Sequence, residues 1–335
     1  MTNHSKIPLN SSSIASLWTA YLNDSMATCV LKHFLNNVED EDVRSLLNDA
    51  YNICNSHIQT VAPILTKAEI ALPAGFADSD VNLKAPRLFT YTFYLFYLAN
   101  MSQFGMTNFS LALYHAARTD IRKFFLDSLT EIANFYYRLS DLMLAKGVFI
   151  RAPIVSTTKS NDVIDKKDFF SGIFSQPRSL TLTEVFSVFA NMLACFTGRS
   201  LLQGFSQGAK STEVRKILFK GKKMLEHHIE VFSSILKSEG VPVPSTSDMS
   251  VTDSVMPTFS DKLMLLHITM LNVTNMRNYT EAMSSSTRSD ISATFVRLSA
   301  EVAEFASEGI NILVDNGWFE QPPQVVNHDK LVGIK

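Results

Sequence analysis

Glycine, cysteine and clustered positive charge are all scarce in this sequence of 335 residues. Its 12 glycines leave few loops of the kind that phosphate-binding and nucleophile motifs require, and it contains neither a G-x-S-x-G motif nor a Cys-His signature. Beyond FKGKK at 219–223, lysine and arginine are dispersed, and the net charge is −2. Nucleophilic catalysis and a nucleic-acid partner are therefore not expected.

The three cysteines, Cys29, Cys54 and Cys195, are odd in number and widely spaced, and each lies within an apolar helical pattern. This distribution favours buried thiols in a reducing compartment over a disulfide framework. The first residues, MTNHSKIPLNSSS, are polar and lack the apolar core of a secretory signal peptide. We therefore expect a cytoplasmic protein.

One long segment, residues 88–117, runs for thirty residues without a formal charge. A helix that is apolar on nearly every side is either buried in a bundle or spans a membrane. The equivalent segment of the second half, 258–287, carries Asp261, Lys262 and Arg277, which a lipid-facing helix would not tolerate. The prediction is therefore a buried central helix and no membrane span, with the aromatic run 91–97 meeting the other half or a partner chain.

Apolar residues recur at helical spacing in four segments of the first half. Helix 1 is predicted to begin in the serine cluster 11–13, and helix 2 in the acidic run 39–42. Helix 3 is the uncharged segment, and helix 4 ends at Gly147. The connection 69–86 is long enough to return the chain to the other end of the bundle, which would place helix 3 parallel to helix 2, as in ferritin-like bundles.

The second half repeats this pattern. DVRSLLNDAYNICNSHIQTVAPIL at 42–65 matches EVRKILFKGKKMLEHHIEVFSSIL at 213–236, and Gly147 matches Gly317 at an offset of 170 residues. Since a long and nearly gapless self-match indicates an internal repeat, the predicted fold is all-α, a tandem duplication of a four-helix unit. The predicted divisions are a flexible tail (1–8), a first bundle (9–155), a linker with a docked aromatic patch (156–178), a second bundle (179–325) and a C-terminal tail (326–335).

Several segments together resemble one protein family: LWTAYLNDSMA, LPAGFADSDVNLKAPRLF, FSLALYHAARTDIRKFF and KGVFIRAP in the first half, and LLQGFSQGAKSTEVR, VTDSVMPTFSDKLM and NGWFEQPPQ in the second. From about residue 9 to 326, the chain is similar to the domain-of-unknown-function 3231 family of Bacillus-type bacteria. The resemblance implies tandem ferritin-like bundles and a spore-coat-like protein in a sporulation or stress setting. It implies no activity.

A ferritin-like metal centre needs a Glu from each of two helices and a Glu-x-x-His from each of the other two, and the sequence contains no Glu-x-x-His. A weaker pattern remains. At 1.5 Å per helical residue, Asp24, His57 and Glu131 fall at one level of the first bundle. In the second bundle, His228 and Glu301 take the equivalent positions, with Cys195 in place of Asp24.

Two interpretations of these residues stay open. They either bind a metal ion, with Fe or Mn as the candidates, or contact a small apolar ligand, or they are core histidines that Glu131 and Glu301 satisfy by hydrogen bonds. Asp120 and Asp290 are predicted to be caps or first-turn carboxylates paired with Arg118 and Arg288. The leading hypothesis is a non-enzymatic structural or interaction protein, as a homo-oligomer or with another protein partner, in the cytoplasm, forespore or spore. The alternative is a ferritin-like module with a degenerate site in one or both bundles, which binds a metal ion or a small ligand and has a redox role as one option.

Overall fold

Eight α-helices form nearly all of the secondary structure in a computed structural model that describes residues 7–160, 163–164, 167–171, 177–244 and 250–328. Within these residues there is no strand beyond two isolated β-bridges. Most of the predicted tails 1–8 and 326–335 lies outside the described residues, as do parts of the predicted linker 156–178 and of its aromatic patch.

The helices repeat in length and order. The first four are α1 (Ser11–Asn37), α2 (Glu41–Lys67), α3 (Tyr91–His115) and α4 (Thr119–Ala145). The second four are α5 (Leu182–Gly208), α6 (Thr212–Ser238), α7 (Asp261–Ser285) and α8 (Ser289–Asp315). Both sets contain 27, 27, 25 and 27 residues. The predicted all-helical duplication is confirmed.

Local sequence sets most of the helix ends. The Asp40 side chain caps α2 by accepting from the N–H groups of Asp42 and Val43, and Gly147 follows α4 with a φ of 67°. The predicted start of α1 is confirmed at Ser11, but Asn10 and not a serine caps the helix, because the Asn10 side-chain oxygen accepts from the N–H of Ser13. The predicted start of helix 3 is wrong, because residues 88–90 precede α3 in an extended segment.

Within each repeat, the helices pack as two hairpins laid side by side: α1 with α2 and α3 with α4, then α5 with α6 and α7 with α8. The ring of His57, in the second half of α2, contacts the ring of Phe109, in the second half of α3, at a centroid distance of 5.3 Å. This contact requires α2 and α3 to run in the same direction. The long connection 68–90 therefore carries the chain back along the bundle before α3 begins.

The two long connections, 68–90 and 239–260, pair with each other and join the repeats. Val81 bridges Phe259 and Phe89 bridges Val251, both antiparallel. Residues 81 and 251 are equivalent positions of the two repeats, and so are 89 and 259, so each bridge is the counterpart of the other. Four backbone hydrogen bonds form two such pairs: Asn82 N to Thr258 O (2.7 Å) with Thr252 N to Leu88 O (2.9 Å), and Thr90 N to Ser250 O (3.2 Å) with Ser260 N to Asp80 O (2.9 Å). Reciprocal contacts of this kind define an approximate two-fold axis.

Aromatic rings fill the space around this axis. Tyr97 and His267 occupy equivalent positions and contact each other edge to face, with centroids 5.6 Å apart. Phe34 packs beside Phe89 in the first repeat, as Phe205 packs beside Phe259 in the second. The predicted contact of the aromatic run with the other half is therefore confirmed at Tyr97. This contact explains why residues 92–98 of α3 are buried on every side of the helix.

Among the described residues, α5 is the one helix that is long and apolar enough to cross a membrane. Of the 18 residues in its most apolar window, 67% are buried inside the fold, as in the core helix of a bundle. The uncharged segment of the first repeat does not reach the same hydropathy, because Asn, Gln, Ser and Thr interrupt it.

A buried cluster of charged side chains stabilises the start of the second repeat. Glu184 is fully buried at the first turn of α5, where Arg178 donates two hydrogen bonds to its carboxylate, and the N–H groups of Thr181 and Arg288 donate to it as well. Burial alone would raise the pKa of Glu184, but these donors outweigh it and lower the pKa to about 2. Ser13 takes the equivalent position in the first repeat, which therefore has no counterpart of this carboxylate.

The interface between the repeats should be sensitive to acid through His267. Burial lowers the pKa of His267 to about 4, and its Nδ1 is buried without a hydrogen-bond partner. Because the unfolded state binds a proton near pH 6.5 and the folded state does not, the free energy of unfolding falls as the pH is lowered from 6.5 to 4. This group accounts for a loss of about 3 kcal/mol. The substitution His267→Leu should remove that part of the pH dependence in denaturant titrations at several pH values.

His115 provides the control, because it is exposed. His115→Leu should leave the pH dependence of unfolding as it is in the wild type. An unchanged slope between pH 6.5 and 4 in the His267→Leu protein would show that the buried imidazole is not the group that titrates.

Candidate functional site

His57 is the centre of the polar cluster in the first bundle. It is 3% exposed, and its Nδ1 lies 3.2 Å from Oδ2 of Asp24 on α1. A carboxylate only accepts, so Nδ1 carries a proton, and in the neutral form of the ring Nε2 is then an acceptor. Oε2 of Glu131 on α4 lies 3.8 Å from this Nε2, beyond hydrogen-bond distance, and Nε2 has no hydrogen-bond partner among the described residues. The sequence-predicted residues Asp24, His57 and Glu131 are thus brought to one level.

His228 occupies the same position in the second bundle and has partners on both nitrogens. Nε2 lies 3.1 Å from Oε2 of Glu301, and Nδ1 lies 2.9 Å from the hydroxyl of Tyr279. Burial lowers the pKa of His228, which favours the neutral imidazole. Nε2 therefore donates to Glu301, and Nδ1 accepts from Tyr279. The tautomer is opposite to that of His57.

Two exchanged residues explain this difference between the repeats. Asp24 of the first repeat corresponds to Cys195, whose sulfur lies 3.3 Å from the Tyr279 hydroxyl, and Phe109 corresponds to Tyr279. The partner of the histidine Nδ1 is therefore a carboxylate from the first helix in one bundle and a phenol from the third helix in the other. Sequence reasoning missed Tyr279. The signal that could have found it is the difference between the repeats at this position, where Phe109 of the first corresponds to Tyr279 of the second.

The buried thiols are held in the protonated state. Burial, and secondarily the Asp24 carboxylate, raise the pKa of the Cys54 thiol well above its usual value. Burial raises the pKa of Cys195 to about 12, against the opposing effect of its hydrogen bond with Tyr279. Because the thiolate is the reactive and metal-binding form, neither sulfur is prepared for nucleophilic chemistry at neutral pH.

The donor sets do not fit the two-metal centre of a ferritin. That centre takes carboxylates from four helices and two imidazoles, whereas each bundle here offers one imidazole and one or two carboxylates. In the first bundle, Asp24 and Glu131 face opposite nitrogens of the His57 ring, so both cannot bind one ion together with the same nitrogen. No group of three His, Cys, Asp or Glu side chains suited to a metal ion occurs within the described ranges. A single metal ion at His57 or His228 stays a prediction.

The other sequence-predicted pairs have the expected structural roles. Arg118 pairs with Asp120 at 2.6 Å, and Arg288 with Asp290 at 2.8 Å, each at the first turn of the repeat's last helix. Glu301 accepts from His228 as predicted, whereas His57 is satisfied by Asp24 in place of Glu131.

A cavity of about 280 Å³ lies beside His57 inside the first bundle. Asp24, Cys54 and His57 line one part of it, and the remaining walls are mostly small or apolar side chains, including Ala20, Ala27, Ala50, Ile53, Met101, Phe104, Gly105, Phe109, Ala112 and Phe135. Its rim carries exposed residues of α1 and α3: Ala15, Thr19, Leu111 and His115. A volume near 300 Å³ is at the lower end of the range for small-molecule sites.

Larger side chains occupy several of these positions in the second bundle. Leu225 replaces Cys54, Asn191 replaces Ala20 and Asn272 replaces Ser102, and all three replacements are buried. Gly198 replaces Ala27, and a Cβ at Gly198 would lie 2.8 Å from Cδ1 of Leu225. Leu225, Asn191 and Asn272 thus take up space that Cys54, Ala20 and Ser102 leave open in the first repeat.

The fold and these clusters define an all-helical protein of two equivalent bundles with buried polar networks. The chain belongs to the family described as "Protein of unknown function (DUF3231)", whose model matches residues 1–160 and, a second time, residues 168–331. The family predicted from the sequence motifs is thus confirmed, with one copy of the family unit in each repeat.

Further comparisons add little. Comparison with curated proteins gives no match. Among solved structures, a candidate spore coat protein from Bacillus halodurans matches with a TM-score of 0.43 and 15% sequence identity, over 45% of this chain and 98% of that protein. A TM-score below 0.5 does not establish a common fold.

The buried hydrogen-bond network of the second bundle, from Cys195 through Tyr279 and His228 to Glu301, can be tested directly. Tyr279→Phe should leave both His228 Nδ1 and the Cys195 thiol without their partner, and the free energy of unfolding should fall by about 1–3 kcal/mol. The measurement is equilibrium denaturation. Tyr114→Phe, at a side chain that is 83% exposed, is the control and should change stability little. Equal effects of the two substitutions would refute the role assigned to the Tyr279 hydroxyl.

Proposed function

We propose that this protein is a non-enzymatic structural or interaction component of a spore-forming bacterium, present in the cytoplasm, the forespore or the spore. Each repeat is proposed to be a ferritin-like four-helix bundle that no longer has the two-metal centre. The observation that carries the proposal is the internal pairing of the polar groups around His228, which runs from Cys195 through Tyr279 and His228 to Glu301. Such groups stabilise a core and are not free to act on a substrate.

Exposed apolar residues support an interaction role. On α4, Leu126, Tyr137 and Leu144 are all exposed, and their spacings of 11 and 7 residues place them on one outward face of the helix. On α8, the exposed Val296 and Val314 are 18 residues apart, which is five full turns. Positions 126 and 296 are equivalent in the two repeats, and so are 144 and 314. We refer to these five residues as the outer stripes.

We propose a second copy of the chain as the partner of the outer stripes. Each chain presents two stripes of the same kind, related by the approximate two-fold axis between its repeats, so copies can associate through both. Exposed apolar surface is typical of protein interfaces. The spore setting rests on the resemblance of the motifs to a family of Bacillus-type bacteria.

Self-association is tested by charge substitution in one stripe. Leu126→Lys combined with Tyr137→Lys should shift the protein to a smaller assembly in sedimentation velocity, because burying two ammonium groups opposes contact. Gln59→Lys adds a charge at an exposed position of α2, outside the outer stripes, and should leave the assembly unchanged. A wild-type protein that is monomeric at all concentrations would contradict the second-copy proposal.

The location is tested in the native host. The protein should accumulate during sporulation and be recovered from forespore or spore fractions, as measured by immunoblotting of a time course. A level that is constant through growth, with all protein in vegetative cytosol, would refute the spore setting.

A single metal ion is a second candidate function, and the buried Nε2 acceptor of His57 is the observation that favours it. Imidazole and carboxylate ligands suit Fe or Mn, with Glu131 as the carboxylate and Asp24 orienting the ring. Native mass spectrometry with metal analysis of gently purified protein should then show a stoichiometric metal that His57→Ala removes and His228→Ala does not. A bare polypeptide mass would refute this candidate.

A further inference from the structure

We propose that the first-bundle cavity binds a small, largely apolar amine, with its ammonium group on the carboxylate of Asp24. This function goes beyond the structural role above. The size of the cavity, the composition of its walls and the placement of Asp24 beside His57 support this binding role, and the second repeat has Cys195 in place of Asp24 and Leu225 in place of Cys54.

The size and walls of the cavity define the body of the ligand. A dry apolar cavity of about 150 Å³ is enough to hold a benzene ring. At about 280 Å³, this cavity holds a ring with a short chain. Phe104, Phe109 and Phe135 are among its walls, with small side chains between them. Such walls favour an apolar ligand, and aromatic faces also attract a cation.

Asp24 defines the head group. It lines the cavity in the middle of α1, and its Oδ2 already accepts from His57 Nδ1. A carboxylate accepts up to about four hydrogen bonds, so acceptor capacity remains for a ligand. No Lys or Arg is among the described residues that line the cavity. An ammonium group therefore meets a favourable charge there, and a carboxylate ligand meets repulsion.

His57 prepares this carboxylate for a ligand. The imidazole is 3% exposed, and the rings of Phe109 and Phe124 contact it edge to face at centroid distances of 5.3 and 5.6 Å. These contacts fix the ring of His57, and its Nδ1–H donates a hydrogen bond to Asp24. His57 therefore holds the carboxylate in one orientation. His57 thus acts on the ligand through Asp24 and not through Nε2, which faces Glu131 on the other side of the ring.

The second repeat shows that the fold does not require these features. Cys195 stands in place of Asp24, so the second repeat has no carboxylate at this position. Leu225 stands in place of Cys54, and its larger side chain fills space at the position of the cavity. The imidazole is retained there, but Tyr279 and Glu301 satisfy both of its nitrogens. In the second repeat both nitrogens of the histidine are thus paired and the carboxylate is missing, whereas the first repeat offers a cavity lined by the Asp24 carboxylate.

The first experiment compares four ligands of similar shape on the full chain by isothermal titration calorimetry. The ligands are 2-phenylethylamine, 2-phenylethanol, phenylacetate and ethylbenzene. The amine should bind at least about tenfold more tightly than the alcohol and the hydrocarbon, and phenylacetate most weakly. Equal affinities, tightest binding of the acid, or no binding of any of the four would each overturn the proposal.

Two variants locate the ligand. Asp24→Asn keeps the shape of the side chain and should abolish the preference for the amine while ethylbenzene still binds. The double variant Ala27→Gly, Cys54→Leu transplants Gly198 and Leu225 into the first repeat and should reduce the affinity of all four ligands at least about tenfold by filling the cavity. The glycine is needed because a Cβ at the equivalent Gly198 would lie 2.8 Å from the leucine.

The matched control is Ala282→Ser in the second repeat, at the position equivalent to the cavity residue Ala112. It should leave every affinity unchanged, and circular dichroism should confirm that all variants are folded. An amine preference that survives Asp24→Asn, or affinities that survive the double variant in a folded protein, would place the ligand elsewhere and refute the site.

Discussion

The antiparallel pairing of the two long connections is the constraint on which the rest of the structure depends. A bundle in which the second and third helices run in the same direction needs a connection as long as the bundle, and such a segment has backbone groups that must find hydrogen bonds. Here each connection supplies the partners of the other, as in the reciprocal bonds of Asn82 with Thr258 and of Thr252 with Leu88. Because the pairing fixes how the repeats face each other, it also fixes which helix faces are buried. The uncharged first half of α3 and the Tyr97–His267 contact follow from that geometry.

Duplication allowed the two bundles to diverge around a common histidine. In the second bundle, Tyr279 and Glu301 satisfy both nitrogens of His228, and Leu225 fills space. In the first, Asp24 takes one nitrogen of His57, and a cavity remains beside the pair. A buried polar network is stabilising when it is complete, and an incomplete one has a cost that a ligand or an ion can remove. The asymmetry between the repeats, and not the histidine itself, is the basis of the binding function that we propose.

Because the family is described as one of unknown function, a function for this protein has to be inferred from its side chains. A four-helix unit of this kind supports many roles, since function depends on the site and not on the fold. The donors around His57 and His228 do not fit a two-metal centre, and the protonated Cys54 and Cys195 do not suit nucleophilic chemistry. The remaining features are apolar: the outer stripes on α4 and α8, and the walls of the cavity. They suit association and the binding of an apolar molecule.

The sequence by itself determined the helices, the duplication and the level at which Asp24, His57 and Glu131 meet, because helical periodicity and rise are local properties that a single chain reveals. It also determined the pairing of Arg118 with Asp120, since the two residues are neighbours on one helix start. Only the tertiary structure decided that residues 88–90 leave the helix to pair with the other repeat, that Asp24 and not Glu131 satisfies His57, and that Tyr279 completes the second network. These outcomes depend on which helix faces meet across the bundle and on how much space neighbouring side chains leave, and no local pattern contains that information.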